Sequence, residues 1–216
     1  MRPGGTLRGT AEAPVPRGGP TTGIGGMTAP LGPDDPLPHR PRRILVAGTS
    51  GAGKSTLSRA LSRALHVPYH ELDALHHGPG WVPRASFAGD VAAFAATDGW
   101  VAEWQYPAVR ALLLARADLL VWLDLGRWQV ARQLVPRTLV RRWRRTELWN
   151  GNVEPPLRTL FTDPDHLWRW AWRTHPDTPR RVRAVLAAGR GPVVVRLRSR
   201  ADVRDWLAGP VADRAA

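Results

Sequence analysis

The sequence predicts an α/β fold in which five parallel strands form a sheet that is covered by helices on both faces. Three observations support this prediction. Short apolar, β-branched runs alternate along the chain with segments whose apolar residues recur at helical spacing. A glycine-rich turn directly follows the first apolar run and precedes an amphipathic segment. Hydrophobic residues make up 43% of the chain, which is enough for a buried core between three layers.

The first strand and the first helix flank the glycine-rich turn. Residues 43–47 read Arg-Ile-Leu-Val-Ala, a run suited to a buried parallel strand. Five apolar residues then recur on one face of a helix: Leu57, Ala60, Leu61, Ala64 and Leu65. The turn between them fits the pattern G-x-x-x-x-G-K-S of phosphate-binding loops. Its residues are Gly48, Thr49, Ser50, Gly51, Ala52, Gly53, Lys54, Ser55 and Thr56.

This loop predicts a binding site for ATP and Mg²⁺. Glycines let the backbone curl so that several N–H groups converge on phosphate oxygens, and the following helix adds the partial positive charge of its N-terminus. Lys54 is the only lysine in a chain with 31 lysine and arginine residues. We expect its ammonium group to reach the β- and γ-phosphates, and the Ser55 hydroxyl to coordinate Mg²⁺.

The remaining elements follow from the same signals. In chain order they are a strand at 67–72, a turn-rich connection at 76–83, a helix at 86–96, a strand at 100–103, a helix at 108–116, a strand at 118–124, a strand at 192–197 and a helix at 201–207. The strand at 118–124 is apolar between its terminal aspartates, so we expect it to be covered on both faces. Ligands of parallel sheets bind at the carboxyl ends of the strands. We therefore expect one edge to hold Gly48, Asp73, Glu103, Asp124 and Arg198.

Three acids follow predicted strands and are candidates for the chemistry. Glu103 could hold Mg²⁺, usually through water, or it could be a helix cap or a surface acid. Asp73 could hold a phosphoryl acceptor or accept its proton, or it could be a turn residue. For Asp124 we favour a role as the cap of the next helix.

The chain divides into three predicted segments: a disordered Pro/Gly-rich tail over 1–41, a domain over 42–208 and a C-terminal tail over 209–216. Met27 is the only methionine besides Met1, and we hypothesise that translation begins at Met27. The chain has no cysteine and no signal-peptide pattern, so a cytoplasmic protein is expected. His76 and His77 are expected in a solvated turn rather than at a metal, because no third ligand is visible at suitable spacing.

Residues 126–183 carry most of the net charge of +13, with 13 arginines, five acids and six tryptophans. Arg137, Arg141 and Arg145 are four residues apart, so they share a helical face. One interpretation is a mobile lid over 127–183 whose arginines neutralise a phosphoryl group during transfer. Two others remain open: a surface for the nucleic-acid backbone, and solvated faces in an arginine-rich protein.

Further segments resemble those of the topology modulation protein family, which belongs to the adenylate-kinase-like P-loop kinases. The resemblance covers about residues 43–208 and includes the phosphate-binding loop. It also rests on Leu-Asp-Ala-Leu at 72–75, Pro-Gly-Trp-Val-Pro at 79–83, Trp-Val at 100–101, Arg-Ala-Asp at 116–118, Leu-Asp at 123–124, and the arginine-rich block that runs to Trp-Asn-Gly-Asn at 149–152.

The resemblance implies an ATP-binding core of nucleotide-kinase type, with a lid near 127–150 and Glu103 at the acidic position that closes the third strand. It also implies three lid arginines, which are Arg132, Arg137 and Arg141. The wider family continues the acid with Gly-Asn-Tyr, whereas this chain continues with Trp104, Gln105 and Tyr106. A large indole is therefore expected beside the acceptor site.

The leading hypothesis is an ATP- and Mg²⁺-dependent phosphotransferase that acts on a small molecule or a nucleotide. Its catalytic residues would be Lys54, Asp73 and the lid arginines. The alternative is an ATP-switched nucleic-acid-binding protein that modulates DNA topology and has no kinase activity; its binding would weaken steeply as salt rises. No membrane partner is expected, because no apolar run approaches the length of a membrane span.

Overall fold

The computed structural model describes residues 29–130, 132 and 175–215. Within them the strands are β1 Arg43–Gly48, β2 Tyr69–His70, β3 Trp100–Glu103, β4 Leu119–Leu123 and β5 Val193–Leu197. The helices are α1 Lys54–Leu65, α2 Leu72–His76, α3 Phe87–Ala95, α4 Pro107–Arg116, α5 Asp177–Ala187, α6 Arg200–Trp206 and α7 Ala212–Ala215. A 3-10 turn spans Pro79–Trp81, and a π-helical turn at Leu207–Val211 joins α6 to α7.

All five strands are parallel and lie in the order β2-β3-β1-β4-β5. This order confirms the predicted three-layer α/β fold with a five-stranded parallel sheet. Val46 pairs with Glu103 on one side of β1, and Gly48 pairs with Leu123 on the other. Because parallel pairing brings all carboxyl ends to one edge, the glycine-rich turn leaves the middle of that edge between the ends of β3 and β4.

Helices cover both faces of the sheet, and each face has its own buried cluster. Ile44 and Val46 pack with residues of α1 and with Trp206 of α6. Leu45 and Ala47 point to the opposite face, where helices α3, α4 and α5 contribute the packing partners. Every residue of β4 is buried, which confirms the prediction that this strand is covered on both faces.

The second strand is shorter than the sequence predicts. The pattern predicts a strand over 67–72 that ends at Asp73, but β2 contains only Tyr69 and His70, and Asp73 lies in the first turn of α2. The N–H of Val67 still bonds to Ser62 O at the end of α1, and α2 begins directly after Glu71. Val67 is therefore bonded to the end of α1 and Leu72 belongs to α2, which leaves a short strand between them.

The predicted disordered tail also needs correction, because residues 29–41 pack against the domain. Leu31 N donates to Val194 O at 2.8 Å, and Arg196 N donates to Leu31 O at 2.8 Å, so a parallel bridge covers the outer edge of β5. Leu37 is 2% exposed, and its carbonyl accepts a hydrogen bond from Arg214 Nε of α7 at 2.9 Å. We call residues 29–41 the strap. Its Pro/Gly-rich composition does not indicate that Leu31 and Leu37 pack against the domain and hold the strap in place.

The sequence predicts that the domain ends near residue 208, but the C-terminal segment that follows is helical. The π-helical turn accommodates Pro210, and Val211 within it is buried in the same cluster as Trp206. Helix α7 follows and reaches Ala215. A proline usually ends a helix because it lacks the backbone N–H. The wider π-helical turn accommodates Pro210, so the helical segment continues.

Replacing Leu37 with alanine is expected to lower the free energy of unfolding by about 2–5 kcal/mol, because the removed atoms leave a cavity under the strap. Urea denaturation followed by tryptophan fluorescence measures this change. Val82→Ala is the control, since Val82 is 63% exposed and its truncation should change stability by no more than about 0.5 kcal/mol. If Leu37→Ala matched the wild type, the strap would not be part of the folded core.

Candidate active site

Two glycines of the glycine-rich turn adopt backbone conformations that favour glycine. Gly51 and Gly53 have φ angles of 85° and 96°, a region that side chains rarely tolerate. A Cβ on Gly48 would lie 3.2 Å from the Cβ atoms of both Ala52 and Leu123, so a larger residue there would require these neighbours to shift. Helix α1 begins at Lys54 and has neither a side-chain cap nor an acid in its first turn. Its first N–H groups therefore remain available to an anion.

Lys54 folds back across the loop that it terminates. Its Nζ donates to Thr49 O at 3.4 Å, within the same turn. The ammonium group thus lies over the space that the loop encloses instead of extending away from the sheet. This position fits the predicted contact with phosphate oxygens.

Ser55 and Glu103, predicted separately to bind Mg²⁺, lie in direct contact. Ser55 Oγ donates to Glu103 Oε1 at 2.6 Å, and Tyr69 Oη donates to the same oxygen at 3.1 Å. Glu103 is 2% exposed at the end of β3. Among the described residues no arginine or lysine forms an ion pair with it. A buried carboxylate flanked by hydroxyl oxygens is the hard oxygen set that Mg²⁺ prefers, so these residues fit the ion.

Asp73 is held from one side only. Its Oδ1 accepts hydrogen bonds from Gln105 Nε2 at 2.8 Å and from Tyr106 Oη at 2.6 Å. No hydrogen bond to Oδ2 occurs within the described part of the chain. The two donors follow Glu103 directly, so the segment that ends β3 connects Asp73 to the Ser55–Glu103 pair. Gln105 and Tyr106 were not among the predicted site residues, although their places within three residues of Glu103 were a usable signal.

Tyr106 is affected by the charges of both carboxylates. Burial raises the pKa of Tyr106 above its ordinary value, and the negative charges of Asp73 and Glu103 raise it further. Its backbone has a φ of 49°, an uncommon conformation for a residue with a large side chain. The residue is therefore held in a strained backbone position that directs its hydroxyl to Asp73.

His76 and His77 do not lie in the solvated turn that the sequence suggests. His76 stacks on Tyr106 with ring centres 4.3 Å apart and meets the edge of Phe87 at 4.8 Å. His77 Nε2 lies 3.1 Å from Tyr106 Oη. Burial lowers the pKa of His76, and its neighbour His77 lowers it further. The two histidines thus contact the ring and the hydroxyl group of Tyr106. No cluster of three metal-ligating residues occurs in the described ranges.

Asp124 does not cap a helix, contrary to the sequence-based expectation. It accepts a hydrogen bond from Arg196 Nε at 2.8 Å, and the guanidinium of Arg196 lies 4.6 Å from the ring centre of Trp122. The side chain of Gln129 instead accepts from Gly126 N at 3.0 Å at the start of the next helical segment. The ion pair joins β4 to β5 at the carboxyl edge. Only the fold brings Arg196 to this position, because it lies 72 residues away in the sequence.

The sequence predicts the indole of Trp104 beside the acceptor site, but the side chain is buried in the core. Its indole is 6% exposed in the cluster beneath α4, and Nε1 donates to Arg110 O at 3.3 Å. A residue larger than glycine is accommodated here because the side chain enters the core. The neighbouring residues Gln105 and Tyr106 instead reach Asp73.

The predicted lid lies mostly outside the described residues. Arg132 is exposed and helical. Arg137, Arg141 and Arg145 fall outside the described ranges, as does most of the arginine- and tryptophan-rich block on which the nucleic-acid alternative depends. Met27 also lies outside them. The lid and both competing interpretations of the block therefore remain predictions.

The strand order and the loop after β1 decide the fold class. A parallel sheet in the order 2-3-1-4-5 carries its phosphate-binding loop directly after the central strand. The chain has the fold of the P-loop kinases. None of the described helices is long and apolar enough to cross a membrane.

Comparisons with known proteins add little to this. No family model matches the sequence, and no curated protein matches it. A gluconokinase from Sinorhizobium meliloti 1021 shares 22% identity at a TM-score of 0.46, over 82% of this chain and 95% of that one. A shikimate kinase from Bacteroides thetaiotaomicron shares 17% identity at a TM-score of 0.42, over 78% and 95%. Similarity this low carries no argument about activity, and the resemblance to topology modulation proteins stays a prediction.

The two tyrosines of the chain, Tyr69 and Tyr106, are both expected to stay protonated well above the ordinary phenol pKa of about 10. Burial raises the pKa of Tyr69, and so does the charge of Glu103. A pKa that is higher in the folded state contributes stability below the unfolded value, and this contribution is lost as pH rises through the folded value. Ultraviolet titration should therefore show no phenolate until the protein unfolds at high pH.

The denatured chain and two variants serve as controls for this titration. In denaturant both phenols should ionise near pH 10, as free tyrosine does, to within about one pH unit. Tyr69→Phe and Tyr106→Phe should each halve the phenolate signal that accompanies unfolding. Ionisation of either tyrosine in the folded protein at its ordinary pKa would contradict the buried, carboxylate-bonded geometry.

Proposed function

We propose that this protein binds ATP with Mg²⁺ and transfers the γ-phosphoryl group to a hydroxyl group of a small molecule. One observation carries the proposal: Ser55 Oγ and the buried Glu103 carboxylate meet at 2.6 Å at the mouth of the phosphate-binding loop. The motif by itself could occur in any triphosphate-binding protein. A second carboxylate, Asp73, held on the acceptor side by the residues that follow Glu103, favours a transferase.

The triphosphate would be held by the backbone of Gly48–Ser55, by the uncapped first turn of α1 and by Lys54. These groups supply N–H donors and one compact positive charge at the centre of the sheet edge. A lysine suits this position better than an arginine because its ammonium is a point charge on a thin stem. This accounts for the single lysine in a chain whose other basic residues are all arginine.

Ser55 and Glu103 are the residues that would hold Mg²⁺, with Tyr69 fixing the orientation of the carboxylate. When bound, the ion would neutralise charge on the β- and γ-phosphates. The Tyr69 hydroxyl keeps Glu103 Oε1 in place beside Ser55. Removal of either hydroxyl would leave the buried carboxylate with fewer hydrogen bonds and a less defined position.

Asp73 is the residue that we assign to the acceptor. Gln105 and Tyr106 occupy Oδ1, which leaves Oδ2 to accept the hydrogen bond of an acceptor hydroxyl. As the acceptor oxygen bonds to the γ-phosphorus and ADP leaves, the hydroxyl proton would pass to Oδ2. Arg132, Arg137 and Arg141 would approach from the lid and stabilise charge on the transferred group, a role that rests on the resemblance to the topology modulation protein family.

Calorimetric titration with ATP, with and without Mg²⁺, tests the nucleotide site. Lys54→Ala should weaken binding at least about 100-fold in both conditions, because the phosphate contact is lost. Glu103→Gln should leave the affinity without Mg²⁺ unchanged and remove the gain that Mg²⁺ provides. Its amide has nearly the same shape as the carboxylate but lacks the charge.

Two surface variants control for general effects of charge. Arg63→Ala removes an exposed charge from the last turn of α1, and Glu71→Gln removes the partner of Arg59. Both should bind ATP as the wild type does, with and without Mg²⁺. Wild-type affinity in Lys54→Ala would mean that the loop does not bind triphosphate.

Steady-state kinetics with pooled hydroxyl-bearing metabolites tests the transfer step. Asp73→Asn should lower kcat by about 10²–10⁴-fold, the usual contribution of a general base, while ATP affinity stays constant. Asp90→Asn is the matched control, since Asp90 is a surface acid of α3 that pairs with Arg84. If the wild type bound MgATP tightly but phosphorylated nothing in any pool, the transferase assignment would be wrong.

A further inference from the structure

Arg110 carries a positive charge that no described residue neutralises directly. The residue lies in the first turns of α4 and is half-buried. Its Nε is buried and makes no hydrogen bond with any residue of the described ranges. Its guanidinium carbon lies 6.0 Å from the ring centre of Trp104, which backs it from the core. A buried N–H of a charged group without an acceptor is costly, so this arrangement indicates a missing anion.

Asp177 is the acid whose charge affects Arg110, but its carboxylate already forms ion pairs with two other arginines. Asp177, in the first turn of α5, forms ion pairs with Arg180 and Arg181. Burial lowers the pKa of Arg110, and the like charge of Arg181 lowers it further, whereas Asp177 opposes this shift. Three guanidinium groups therefore share one carboxylate in this part of the described structure, and a net positive charge remains.

This charge lies at the same edge of the sheet as the proposed active site. Helices α4 and α5 lead into the parallel strands β4 and β5, so both helices begin at the carboxyl edge. Val109 and Val182, the sequence neighbours of Arg110 and Arg181, are buried in one cluster, which keeps the two helices together. Helix α4 starts directly after Tyr106, whose hydroxyl holds Asp73. The N-terminal dipoles of both helices add to the positive potential.

We propose that Arg110 and Arg181 form an anion subsite for the phosphoryl acceptor, so that the acceptor is an alcohol that also bears a carboxylate or a phosphate group. This inference rests on the proposed function, in which Asp73 receives the hydroxyl of the same molecule. An anion bound at Arg110 would satisfy the buried Nε and offset the repulsion from Arg181. A neutral alcohol would leave the Nε of Arg110 without an acceptor, so the subsite discriminates against it.

Kinetics with three matched acceptor classes tests the subsite. Purified full-length protein with saturating MgATP is assayed for ADP release with neutral sugars and polyols, with the corresponding sugar acids, and with sugar phosphates. We expect turnover with one or both anionic classes and little with the neutral class. Comparison of the two anionic classes distinguishes a carboxylate from a phosphate. A neutral compound as the best acceptor would overturn the inference.

Arg110→Gln should raise KM for the preferred anionic acceptor by about 10- to 100-fold, the loss expected for a charge-assisted hydrogen bond. The KM for ATP should not change. Arg110→Lys, which keeps the charge but not the planar donor pair, should recover only part of the loss. Arg116→Gln, at the exposed end of the same helix, is the control and should behave as wild type. An unchanged acceptor KM in Arg110→Gln would refute the subsite.

Direct detection of anion binding separates this inference from the proposed function. Protein labelled with ¹⁵N-arginine is titrated with inorganic phosphate and with acetate, and the Nε–H signal that is absent in Arg110→Lys is followed. A saturable shift of that signal supports the subsite even if no transfer reaction is found. If neither anion shifts it, the subsite is wrong even where kinase activity is present.

Discussion

The hydrogen bond between Ser55 and Glu103 is the interaction on which the site depends. It joins the helix that follows the phosphate-binding loop to the strand beside β1, and it does so at a buried position. The register of the sheet makes this contact possible, because Val46 pairs with Glu103 and the loop begins two residues after Val46. A one-residue slip of β3 would turn the carboxylate to the opposite face of the sheet. The parallel pairing that builds the core therefore also sets the geometry of the site.

The position of Asp73 in the candidate site depends instead on aromatic packing. Tyr106 reaches Asp73 because its own backbone is held at a positive φ and because His76 and Phe87 pack against its ring. Gln105 adds a second donor from the same short segment. The two halves of the site thus meet in four consecutive residues, from Glu103 to Tyr106. One residue of that segment, Trp104, anchors the others by entering the core.

Local sequence signals were sufficient for four of the five strands, most helices and the loop, because each of these has a periodic or glycine-based pattern. Glu103 could be placed at the end of its strand for the same reason. Asp73 was placed at a strand end but lies in a helix, since two residues of β2 give too little pattern to fix its boundary. The partner of Asp124 and the burial of Leu37 were not predictable, because both depend on contacts between residues far apart in the chain. Arg137, Arg141 and Arg145 lie outside the described residues, so the lid stays a prediction.

The strap has a consequence for how this chain reaches its folded state. Leu31 pairs with Val195, and Leu37 is bonded to Arg214, so segments from opposite ends of the sequence complete one another. Contacts of such long sequence separation form late, because a large loop must be closed before they contribute any stability. During synthesis the outer edge of β4 stays open until β5 has left the ribosome, and the bond from Arg214 to Leu37 can form only after α7 has followed. An early-terminated chain would thus expose an unpaired strand edge, the kind of surface at which partly folded proteins associate.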